Sequence, residues 1–141
     1  MEIPNYSFDE LLETLKPYQR ISILNLIEKY GDEEAAKKWL MANGPADTIK
    51  FGGQQMGDPQ PFWDKLMAEF RAIVCGDEKY KKEVDSLLEQ AKPVALVVVT
   101  SISTLLATSL GIAAALISPV VVILLKMVCK VGINMWCKSV E

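Results

Sequence analysis

The chain has 141 residues, a formal net charge of −3 and no histidine. It therefore lacks the commonest general base near neutral pH, and no Ser/His, Cys/His or metal-ligand constellation replaces it, so neither an enzyme nor a cofactor is expected. Residues 1–92 carry 12 Lys+Arg against 17 Asp+Glu without a basic cluster, which argues against a nucleic-acid partner.

The charge splits the chain in two. Residues 93–141 hold only Lys126, Lys130, Lys138 and Glu141, and the 33 residues from Pro93 to Leu125 hold no charge at all. About 20 apolar residues suffice to cross a ~30 Å hydrocarbon core. The expected partition is a soluble helical bundle over 1–92 and a membrane segment over 93–141. The opening residues, with Glu2, Asp9, Glu10 and Glu13 and no apolar run, do not read as a secretory signal. The expected location is therefore a membrane, with the N-terminal domain cytoplasmic.

Ser7 and Glu10 have capping-box spacing ahead of Leu11, Leu12 and Leu15, predicting a first helix over about 8–16. Pro17 suits the first turn of a second, over about 17–30, with Ile21, Leu24 and Ile27 and then Ile23, Leu26 and Tyr30 at helical spacing. Gly31 suits its C-cap. Asp32, Glu33 and Glu34 suit the start of a third helix over about 33–42, with Ala35, Ala36, Trp39 and Leu40 as its buried face. Asn43-Gly44-Pro45 stops it.

Residues 43–61 hold four of the eight glycines and three of the seven prolines and read as a loop, with Ile49 and Phe51 as its anchors. Gly52-Gly53 is too weak a signal for a phosphate loop, because no Gly-Lys-Ser/Thr follows. A fourth helix, about 61–75, carries a stripe of Phe62, Trp63, Leu66, Met67, Phe70, Ile73 and Val74. Gly76 ends it, and Asp77 caps a charged fifth helix over about 78–91 with Tyr80, Val84, Leu87 and Leu88 on one edge. The whole is all-α. In size and helix density this half resembles a death-fold-like bundle, a likeness of helix count alone.

The charge-free run is too long for one straight span, since 33 residues of helix reach about 50 Å. Ser118-Pro119 is the expected hinge, because proline removes a helical hydrogen bond and crowds the preceding turn. The first span covers 93–117. The second segment, 119–138, either lies along the surface as an amphipathic helix or returns through the bilayer as the other arm of a hairpin. Lys126, Lys130, Asn134 and Lys138 recur every four residues, and Trp136 is an interface-seeking ring, so these five are the candidate membrane-interface or pore-lining residues. Lysines at mid-bilayer cost roughly 2.5–3.5 kcal/mol each, which favours a surface or pore-lining position.

Thr100, Thr104 and Thr108 form one row of the first span, and Ser103, Ala107, Gly111 and Ala115 form the adjacent row. Small residues let helix backbones approach closely in lipid, so these are the candidate helix-packing and oligomerisation residues. The plainer alternative is that the hydroxyls bond their own backbone. Cys75, Cys129 and Cys137 match no disulfide framework or zinc site and read as reduced thiols, with Cys75 a packing residue.

The expected partners are a lipid bilayer and further copies of the chain, with a protein bound by the helical domain as a further candidate. The expected function is an oligomerising membrane effector, a division of labour similar to that of small membrane-perturbing toxins and cell-death effectors. The alternative is a membrane-anchored adaptor that would recognise its partner through an exposed aromatic patch including Trp39 or Trp63, although the helical pattern favours core burial of both. A third possibility is a hairpin hidden inside the amphipathic helices until a trigger releases it, although five short helices form a thin cover.

Overall fold

The computed structural model describes residues 6–43, 60–76, 78–88 and 94–139. Among them the chain is all-helical, with no strand. In chain order the helices are α1 (Phe8–Leu12), α2 (Pro17–Tyr30), α3 (Asp32–Asn43), α4 (Gln60–Val74), a 3-10 turn (Glu78–Tyr80), α5 (Lys81–Leu88), α6 (Ala95–Leu110), α7 (Ala114–Val131) and α8 (Ile133–Ser139).

Local chemistry sets the boundaries. The Ser7 hydroxyl accepts from the Glu10 N–H, and the Glu10 carboxylate accepts from the Ser7 N–H, both at 3.1 Å. This box starts α1 as its spacing predicts, but α1 ends at Leu12 rather than near 16. Pro17 opens α2, and Gly31, at φ +87°, closes it. Ile49, Phe51, Gly52-Gly53 and Asp77, singled out in the sequence, lie outside the described residues.

α7 is the axis of the fold. Val120, Val121, Val122, Ile123, Leu124 and Leu125 are each 0% exposed. Six successive residues sweep about 500° around a helix, so this stretch is enclosed on every side. The enclosure is built from both halves of the chain: α1, α2 and α3 pack on α7, as do α6 and α8. Leu11, Leu12, Ile23, Ala36, Trp39 and Leu40 bring the N-terminal helices into one buried cluster with the α7 aliphatics. The cover that looked thin in the sequence is sufficient for the middle of α7, because α6 and the N-terminal helices share the task.

α4 packs on α6. Its stripe is buried as expected at Trp63, Leu66, Phe70, Ile73 and Val74. The apolar pattern of α2 is less faithful. Ile23 is buried, whereas Tyr18, Ile21 and Leu24 stand 61%, 62% and 43% exposed.

The expected break at Ser118-Pro119 is not where the chain turns. α7 continues through Pro119, and the reversal lies at Gly111–Ala113, making α6 and α7 a helical hairpin. Gly111 adopts φ +74° and caps α6, which a side chain would disfavour. It is therefore a turn residue in this structure, with nothing within 4 Å of where a Cβ would sit.

Candidate functional site

The candidate site is the hairpin together with the polar groups that hold it in place. α7 is 18 residues long with mean hydropathy 2.2, long and apolar enough to cross a membrane, and half of that stretch is buried within the fold. α6, at 16 residues, is a shorter apolar helix.

Pro119 creates the first attachment. It has no N–H, so the Ala115 carbonyl one turn earlier lacks its usual helical donor. The Gln19 side chain, 5% exposed on α2, donates to that carbonyl instead, at 3.1 Å. Its amide oxygen in turn accepts from the Lys16 N–H at 3.1 Å, which fixes the amide orientation. The neighbouring Leu116 carbonyl accepts from the indole Nε1–H of Trp39 on α3, at 3.0 Å. Two N-terminal helices thus donate to successive carbonyls at the turn where proline loosens α7.

Lys126 supplies the second attachment. Its ammonium donates to Asp32 Oδ1 at 2.7 Å and lies 4.8 Å from the centroid of the Phe8 ring. The two ionic side chains are 27% and 22% exposed, so the pair is only partly screened by water. One α7 lysine therefore engages both α1 and α3.

A third polar group joins α4 to α6. Tyr80 donates to the Glu69 carboxylate, which leaves the Ser109 hydroxyl to donate to the Tyr80 oxygen at 2.5 Å. Lys79 donates to the same Glu69 oxygen at 2.6 Å. Hydrogen bonds from Lys79 and then Tyr80 hold the Glu69 carboxyl below the usual carboxylate range. Burial and the Glu69 hydrogen bond push the Tyr80 phenol upward.

The residues singled out in the sequence divide among these environments. Ser103 is 1% exposed and accepts from Ser118, on the facing arm, at 3.1 Å. The same single hydroxyl hydrogen of Ser118 is shared with the Ala114 carbonyl, 3.0 Å away. Thr104 and Thr108 donate to the carbonyls of Thr100 and Thr104 at 2.9 and 3.0 Å, and all three threonines are exposed. A groove of about 580 Å³ between α4, α5 and α6 includes Thr100 and Thr104 in its wall. Ala107 is half-buried; Gly111 and Ala115 are exposed.

Among the candidate interface residues, Lys126 is engaged with Asp32, and Lys130 and Lys138 are exposed. The side chain of Asn134 lies outside those described. Trp136 is not at a surface. It is 6% exposed and meets Phe70 of α4 edge-on, with ring centroids 5.6 Å apart. Among the described residues no group of His, Cys, Asp and Glu could hold a metal ion.

Sequence reasoning missed one covalent feature. Cys75 and Cys137 form a disulfide with Cα atoms 5.8 Å apart, and only Cys129 is free. This corrects the expectation of three reduced thiols and of Cys75 as a buried packing residue, since Cys75 is exposed. Gln19 and Asp32 were also missed as partners of α7, because they lie 96 and 94 residues from the groups they bind.

No protein-family model, curated protein or solved structure matches this chain.

Proposed function

We propose that this chain is a small membrane effector in a sheathed state, whose α6–α7 hairpin enters a bilayer, associates with further copies and perturbs the membrane. The N-terminal helices, on the cytoplasmic side, hold the hairpin until a trigger loosens them. The observation that carries this reading is the combination on α7: a membrane-length apolar helix enclosed by α1–α3 and attached to them through a few polar groups.

Magnitudes indicate the route. Burying an aliphatic side chain is worth about 1.5–3 kcal/mol, so baring the six enclosed residues from Val120 to Leu125 to water costs about 9–18 kcal/mol. α7 therefore does not leave its sheath through water. A hydrocarbon phase replaces most of that burial, leaving the polar attachments as the main difference between sheath and bilayer. The Ser103–Ser118 bond lies between the two arms, so the hairpin can move as a unit and keep it. Lys126 loses Asp32 on the way, and reaching a headgroup or a water-lined opening compensates it.

The test is dye release from vesicles of mixed zwitterionic and anionic phospholipid, together with membrane potential in a host expressing the full chain. The proposal expects leakage and depolarisation, both accelerated by Asp32→Ala. A chain that stays monomeric, never associates with vesicles and leaves the host polarised makes α7 simply the core helix of a bundle, and the proposal fails.

The second reading is an adaptor. Trp39 and Trp63, considered as contact residues but favoured for the core, are 3% and 4% exposed, so they do not carry recognition. The exposed Tyr18, Ile21 and Leu24 on α2 supply an apolar face instead. Harmless expression, with partner capture abolished by Ile21→Asp, favours that reading.

A further inference from the structure

We propose that the Cys75–Cys137 disulfide is a reversible thiol-exchange site, opened by a low-molecular-weight thiol, that governs release of α8 and with it the C-terminal end of the hairpin. The release it governs rests on the membrane reading above; the exchange chemistry does not.

Position carries the argument. Cys75 follows directly on the last residue of α4 and is exposed. Cys137 lies on α8, half-buried beside Trp136. Only Gly132 separates α8 from α7. The bond spans 62 positions and encloses α5, α6, α7 and most of α8 in one covalent ring. Its oxidised form keeps the end of α7 on a short leash to α4, which itself packs on α6. The other prominent hold on α8 is Trp136 against Phe70. Once the bond opens, only non-covalent packing, with Trp136 buried in the core, retains a helix of seven residues. An isolated helix that short is unstable in water.

The chemistry balances without any group held by the protein. A thiolate attacks the exposed Cys75 sulfur, the sulfur–sulfur bond breaks, and Cys137 leaves as a thiolate that takes a proton from water. A second thiolate attacks the external sulfur of the mixed disulfide, releasing Cys75 as thiolate and the reagent as its own disulfide. Two reagent thiols are oxidised, and one protein disulfide is reduced.

The full chain is prepared oxidised and then equilibrated with glutathione at graded ratios of reduced to oxidised form. Maleimide labelling, hydrogen exchange of residues 133–139 and vesicle dye release are read in parallel. Reduction is expected to raise labelling from one thiol to three, speed exchange in 133–139 by about tenfold and speed dye release by a similar factor. Cys137→Ser should label at two thiols and should match the reduced chain in the exchange of 133–139 and in dye release, neither of which should then follow the glutathione ratio. If reduction frees α8 but neither form releases dye, the thiol site stands and the membrane reading falls. If reduction changes neither the exchange of 133–139 nor dye release, or if the pair never forms, the thiol-site proposal is overturned.

Discussion

Pro119 and Gln19 are predicted to be energetically coupled, and a double-mutant cycle measures that coupling. Gln19→Met keeps the length of the side chain and removes both its donor and its acceptor. Two hydrogen bonds are lost: the one to the Ala115 carbonyl at 3.1 Å and the one from the Lys16 N–H at 3.1 Å. A net hydrogen bond is worth about 0.5–1.5 kcal/mol, with more lost when the abandoned partner is buried. Ala115 itself is exposed, so water partly replaces the donor, and the lower part of that range applies to its carbonyl. The expected loss is about 1–2 kcal/mol in the natural background. In a Pro119→Ala background, residue 119 regains an N–H that can bond the Ala115 carbonyl along the helix. The same Gln19→Met change should then cost about 0.5 kcal/mol, essentially the Lys16 contact alone. The coupling energy is thus about 1 kcal/mol, well above the ~0.3–0.5 kcal/mol within which independent sites add. Urea unfolding of the four chains at 25 °C, followed by far-UV circular dichroism, supplies the four stabilities. Strict additivity would refute the claim that Gln19 stands in for the donor that proline lacks.

Three further outcomes follow from the same contacts. Asp32→Ala should lower stability by about 1–2 kcal/mol, between the values for exposed and for buried pairs, and should hasten vesicle leakage; an unchanged urea midpoint contradicts the Lys126 attachment. The folded-state pKa of Glu69 is lowered by Lys79 and then Tyr80, so its stabilising contribution is full above the ordinary carboxylate range and disappears as pH falls through the folded value. Urea midpoints between about pH 6 and pH 3 should show that decline in the natural chain and a flatter profile in Glu69→Gln. Gly111→Ala should cost about 1 kcal/mol through its positive φ alone, since an added Cβ meets nothing within 4 Å; a larger loss, or loss of self-association in lipid, would return Gly111 to a packing role.

The amino-acid pattern determined the class of the fold and most of its local boundaries. The Ser7–Glu10 box, Pro17, Gly31 and the α4 stripe each act over a few residues, so spacing exposes them. The charge-free run likewise announced an apolar segment, because hydropathy needs no partner to be read, but it left a surface helix and a hairpin return both open and put the turn at Ser118-Pro119. Tertiary structure decided what surrounds that hairpin. Lys126 reads as an interface lysine until Asp32 is placed beside it, and Pro119 reads as a break until Gln19 reaches the orphaned carbonyl. Cys75 and Cys137 read as unrelated thiols until α8 folds back onto α4. Each of these partners is separated by 62 or more positions. At that distance only the folded packing, and no local periodicity, brings a donor to its acceptor or one sulfur to another.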